Sequence, residues 1–87
     1  MKLKYNFEIV EMGEQKVAVP VGLDAENLHG VLKLNKQGYE IFKYLQEGKS
    51  KEEIVSAINV KYEDDRQTIE QYIDEFIQEL INIEIVE

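Results

Sequence analysis

The chain has 87 residues, 44% of them hydrophobic and 32% charged, with a formal net charge of −8 at pH 7 and no cysteine. This length suits one small domain spanning 1–87 with a single core, and the lack of cysteine excludes a disulfide framework, a thiolate metal site and a thiol nucleophile while fitting a reducing compartment. No apolar run reaches the roughly 20 residues of a membrane span, and Met1 to Val10 lacks a signal peptide's apolar block, so a soluble cytoplasmic protein is expected. Leu3, Tyr5, Phe7 and Ile9 alternate with Lys2, Lys4, Asn6 and Glu8, the period of a strand with one buried face. Met12 to Gln15 contains Gly13 and reads as a hairpin turn. Val17, Val19 and Val21 then alternate with Lys16, Ala18 and Pro20. Pro20 has no amide hydrogen and belongs at an edge or a strand end.

Gly22 to His29 is polar and aperiodic, a loop leading to a third strand, GVLKL, that begins at Gly30. Around Leu32 to Gly48 the apolar period changes from about two to about 3.6. Asn35 offers its side-chain oxygen to the first free amides of a helix, with Ile41, Phe42 and Leu45 on one stripe and Gly38 one turn earlier on the same face. A glycine inside a helix costs roughly 1 kcal/mol against alanine, which implies a close backbone neighbour there. Gly48 stands where a left-handed cap ends the helix. Ser50 with Glu53 forms a capping box for a second helix that carries Ile54, Val55 and Ile58 inward and ends near Tyr62. Asp64 or Asp65 caps the third, with Gln67 three residues after Asp64. That helix places Ile69, Ile73, Phe76, Ile77 and Leu80 on one stripe. Asn82 is the expected left-handed stop, and Ile83, Ile85 and Val86 are expected to fold back over the core.

The predicted fold is α+β: a three-stranded antiparallel sheet followed by three helices, in a winged helix-turn-helix-like arrangement. Such a sheet leaves two edges to be managed.

The chemistry on offer is narrow. The hydroxyl candidates for a nucleophile are Ser50, Ser56 and Thr68, and His29 is the single histidine. Ser50 is accounted for as a cap, Ser56 lies mid-helix and His29 reads as a solvated loop residue. The 18 carboxylates fall on caps and polar helix faces, where they are solvated. The five glycines are isolated, so no phosphate loop is present. No enzyme, no metal and no cofactor is expected. Charge also argues against nucleic acid as a partner. Residues 1–34 carry 4 cations and 5 anions, whereas the remainder holds 6 and 13, with no cation beyond Arg66; a duplex is bound chiefly through cations.

Binding remains. An edge strand that runs into a helix can take an extended peptide as an additional strand. Tyr72, beside the inward stripe of the last helix, and Val31, on the strand face opposite Leu32, suit the lining of side-chain pockets there; the plainer reading makes both rim residues of the core.

The order of strand hairpin, LNKQGYEIFKYLQEGKSKEEIVSAINVKYEDD and QYIDEFIQELINIEIVE resembles the PqqD-like proteins, also called RiPP recognition elements. Leu34, Asn35, Gly38, Phe42, Leu45, Ser50, Glu53, Ile54, Tyr62, Asp74, Phe76 and Leu80 carry the likeness. The resemblance implies that the leader segment of a ribosomally made precursor binds as an extra strand beside the third strand, against the third helix. By position, Val31, Leu32, Lys33 and Leu34 would contribute from the strand, and Arg66, Ile69, Tyr72, Ile73 and Phe76 from the helix. It further implies a peptide chaperone that presents the leader to a modifying enzyme, often a radical-SAM maturase of natural product biosynthesis. The acidity of the third helix favours a leader with Lys or Arg near the groove between strand and helix. Two other readings stay open: a winged-helix transcription regulator binding DNA, and an interaction module that pairs with itself as a homodimer through a strand edge.

Overall fold

The computed structural model describes residues 3–22, 31–63 and 65–86. His29, Gly30, most of the loop expected before them, and Asp64 with its expected cap lie outside the described residues. The elements are β1 (Phe7–Met12), β2 (Gln15–Pro20), β3 (Leu32–Leu34), α1 (Lys36–Gln46), α2 (Lys51–Lys61) and α3 (Arg66–Asn82). This is the α+β order expected, three antiparallel strands followed by three helices. Two compact units divide the chain, one comprising Tyr5–Glu40 and the other Ile41–Glu87 together with the N-terminal residues through Lys4.

In the first unit the sheet has the order β1-β2-β3. β1 and β2 pair antiparallel with Phe7 opposite Pro20 and Met12 opposite Gln15, so the turn contains Gly13 and Glu14. Gly13 has φ +67° and Glu14 is not among the residues of positive φ. That combination is a type II′ turn, whose first central position calls for glycine and whose twist matches the flanking strands. β2 pairs with β3 from Ala18 opposite Leu32 to Lys16 opposite Leu34. Val17, Ala18 and Leu34 are buried. The N-terminal alternation extends further in the sequence than in the sheet: β1 begins at Phe7, not at Leu3. Phe7 faces Pro20, the last residue of β2, so residues ahead of Asn6 have no β2 partner to extend the ladder.

Asn35 caps α1 as expected, its Oδ1 accepting from the Gly38 amide at 2.7 Å. Gly38 is buried. In the second unit, α1 ends in a Schellman motif: Gly48 adopts φ +80°, its amide donates to the Leu45 carbonyl and the Lys49 amide to that of Tyr44. The capping box is complete, with the Glu53 amide donating to Ser50 Oγ at 3.2 Å and the Ser50 amide to Glu53 Oε1 at 3.0 Å. Ile54, Val55 and Ile58 are buried on α2, and Ile69, Ile73, Ile77 and Leu80 on α3. Phe76, expected on that stripe, is half-buried. Asp65 precedes α3 without capping it through its side chain.

Two C-terminal expectations change. Asn82 is the last residue of α3, and the left-handed position is Glu84, with φ +63°. Of the three residues expected to fold back, Ile85 and Val86 are buried, while Ile83 is 51% exposed. Leu3 pairs with Val86 in an isolated antiparallel bridge, and the Lys4 amide donates to the Ile85 carbonyl at 2.9 Å. Lys51 ties α2 to α3 through an ion pair with Asp74, with Glu70 at 4.0 Å. The hydrogen bond to Asp74 raises the Lys51 ammonium above its ordinary pKa.

Candidate functional site

Among the described residues β3 pairs with β2 alone, so its other side is an open sheet edge. The groups it leaves open follow from the hairpin. Facing residues in an antiparallel ladder alternate between pairs that exchange both N–H···O bonds and pairs that exchange none. A two-residue turn puts its flanking pair, Met12 and Gln15, in the bonded class. The Val21 amide donates to the Asn6 carbonyl at 3.1 Å, in step with that alternation. Gln15, Val17 and Val19 therefore turn their main chain toward β1, and Lys16 and Ala18 turn theirs toward β3. Pro20 falls in the second class, so its missing N–H costs β1 nothing.

Lys16 and Ala18 face Leu34 and Leu32. Leu32 and Leu34 consequently direct their amides and carbonyls to β2, and Lys33 directs both of its own outward. Val31 lies one residue ahead of β3, and continuing the alternation gives it the same orientation. An added strand would thus meet the main-chain groups of Val31 and Lys33, up to four hydrogen bonds. At about 0.5 to 1.5 kcal/mol net for each bond, they contribute about 2 to 6 kcal/mol. Micromolar binding needs about 8 kcal/mol, so side chains have to supply the remainder.

The expected strand residues divide by face. Leu34 is buried and Leu32 half-buried, on the face that also carries Lys16 and Ala18; Lys33 is exposed on the other, and Val31, just ahead of β3, is exposed as well. Lys16, opposite Leu34, has its Nζ 2.6 Å from Glu11 Oε1 and 4.6 Å from the centre of the Tyr39 ring. One cation so joins β1, β2 and the first turn of α1 beside the end of β3. Its hydrogen bond holds the Glu11 carboxyl below the ordinary carboxylate range.

On α3, Ile69 and Ile73 are 6% and 0% exposed. They belong to the interior; of the five positions expected to contribute from this helix, Arg66, Tyr72 and part of Phe76 lie at its surface. An open groove of about 610 Å³ beside the start of α2 is lined by Tyr44, Lys49, Glu52, Glu53, Ser56 and Ala57; its polar groups are those of a solvated surface. Among the described residues, no three His, Cys, Asp or Glu side chains gather to hold a metal ion, and no helix is long and apolar enough to cross a membrane. The sequence reading named all four strand positions. It set Val31 on the face opposite Leu32 but did not assign which main-chain groups point outward, although the Gly13-Glu14 turn carried the parity that does so.

No curated protein matches the chain. A solved structure, TbiB1 in complex with the TbiA(beta) leader peptide, superposes with a TM-score of 0.80 at 30% sequence identity, covering 100% of this chain and 95% of that one. The family model described as coenzyme PQQ synthesis protein D (PqqD) matches residues 21–86, a span that takes in the edge strand, all three helices and the C-terminal turn, and the chain belongs to the PqqD family.

Proposed function

We propose that the chain binds the leader segment of a ribosomally synthesised precursor peptide by strand addition at the outer side of β3, and presents it to a modifying enzyme. The chain itself carries out no chemistry in this reading. The observation that carries it is the open edge at Val31 and Lys33, in a chain whose whole length superposes on a protein solved with a leader peptide. Membership of the PqqD family supports the same role. By the family resemblance the enzyme served is a radical-SAM maturase, and Val31, Leu32, Lys33 and Leu34 act together with Arg66, Ile69, Tyr72, Ile73 and Phe76. The burial of Ile69 and Ile73 gives these two the task of shaping the surface from beneath, leaving contact to Arg66, Tyr72 and Phe76. A duplex-binding role is not favoured, because the chain carries a net charge of −8 and no cation beyond Arg66.

The test is an amide chemical-shift titration with the leader peptide encoded beside this chain's own gene. Shifts gathered at residues 31–34 and 66–76 are the expected result. Shifts confined to α2 or to the β1-β2 turn would overturn the proposal.

A further inference from the structure

The open edge also has a preference for charge. We infer that the guest strand carries an aspartate or glutamate opposite Lys33, an apolar residue next to it opposite Leu32, and a second apolar residue opposite Val31. This inference rests on the strand addition proposed above.

Facing residues of an antiparallel pair place their side chains on the same side of the sheet. A guest continuing the antiparallel order of β1, β2 and β3 therefore sets the side chains paired with Lys33 and Val31 on the face where those two are exposed. The guest residue between them lies on the other face, over half-buried Leu32. Val31 is 56% exposed and rewards an apolar, preferably β-branched, neighbour. Lys33 is exposed, and no described side chain forms a salt bridge with it. Lys16 and Lys51 differ: each already holds a carboxylate of this chain. Among the described residues the Lys33 ammonium holds no carboxylate, and its outward main chain brings the guest residue directly opposite. A cation at that guest position would face a like charge, which is unfavourable in a directly opposed pair. Read from its N-terminus, the guest has the signature acidic, apolar, apolar.

The probe is a displayed library of 12-residue peptides with alternating apolar and threonine positions and three randomised central residues, selected against the wild-type chain and against Lys33→Glu. Wild type is expected to enrich Asp or Glu at the first randomised position. Synthetic peptides that differ only in Asp or Lys there should differ in Kd by about three- to tenfold at low salt, with the difference shrinking at high salt. Lys33→Glu should invert the preference, and Lys33→Gln should abolish it. Peptides that shift the amides of residues 31–34 with no charge preference, or with one indifferent to both variants, overturn the charge reading and leave strand addition standing. Peptides that bind without moving those amides overturn both.

Discussion

The Ile85 amide donates to the Leu80 carbonyl at 3.1 Å, and beside it the Glu84 amide donates to the Ile81 carbonyl at 2.9 Å. These are the two bonds of a Schellman motif, and both apolar partners of the longer one, Leu80 and Ile85, are buried. The left-handed residue they require is Glu84 at φ +63°, a conformation an L side chain adopts at a cost and glycine adopts freely. Glu84→Gly is expected to stabilise the chain by about 0.5 to 1 kcal/mol, read as a rise in the urea midpoint at constant slope. An unchanged or lower midpoint would mean that the turn forms only weakly in solution.

The opposite substitution at the other such turn should have the opposite sign. Gly48 holds φ +80° with open space around the position of a Cβ, so Gly48→Ala meets no clash and tests backbone strain alone. A loss of about 1 kcal/mol is expected; the midpoint of thermal unfolding measures it.

Ser50→Ala removes one half of the capping box and should cost about 1 kcal/mol. Its partner makes the loss depend on pH. Hydrogen bonds from Ser50 hold the Glu53 carboxyl below its ordinary value, so its contribution is complete above the unfolded pKa of about 4.3 and disappears as pH falls through the lower, folded value. Glu11 behaves the same way through Lys16. Chemical unfolding followed from pH 6 downward should therefore show an acid limb that is shallower in Glu53→Gln. An identical limb in the variant would refute the role of the box.

Phe42 is fully buried, and Phe42→Ala is expected to cost about 3 to 5 kcal/mol, a large share of the 5 to 15 kcal/mol typical of a folded domain. Loss of cooperative thermal unfolding, or a fall in its midpoint by tens of degrees, is the expected reading.

Lys33→Pro isolates the open edge. Proline removes an amide that points away from β2, a placement that edge strands tolerate, while leaving the Leu32 and Leu34 bonds to β2 in place. The variant should keep its fold by amide spectrum and lose most of its affinity for an added strand, measured by calorimetry with the leader peptide. Undiminished affinity would place the guest elsewhere.

Both ends of α1 and the start of α2 were legible from the sequence because their causes are local. Asn35, Gly48, Ser50 and Glu53 act on backbone groups within about one turn of themselves, so residue type and spacing suffice. The strand boundaries were less so. Alternation from Leu3 onward reports which side chains share a face, but a ladder also needs a partner, and β2 ends at Pro20 opposite Phe7. Leu3 finds its neighbour in Val86, at the far end of the chain, a pairing no local pattern encodes. Asn82 was a reasonable left-handed residue by propensity, yet the turn forms two residues later at Glu84, where Ile85 can be buried behind it. At the edge, residue type pointed to β3, and only the register resolved which of its residues face outward.

β3 covers just Leu32 to Leu34 before Asn35 turns the backbone into α1. So short a seat grips only a few residues of any cargo, and differences in affinity among related complexes lie mainly in how fast they separate. On the role proposed above, a seat of this size would favour a relay, holding the passenger by a few residues and leaving most of its length free for another protein.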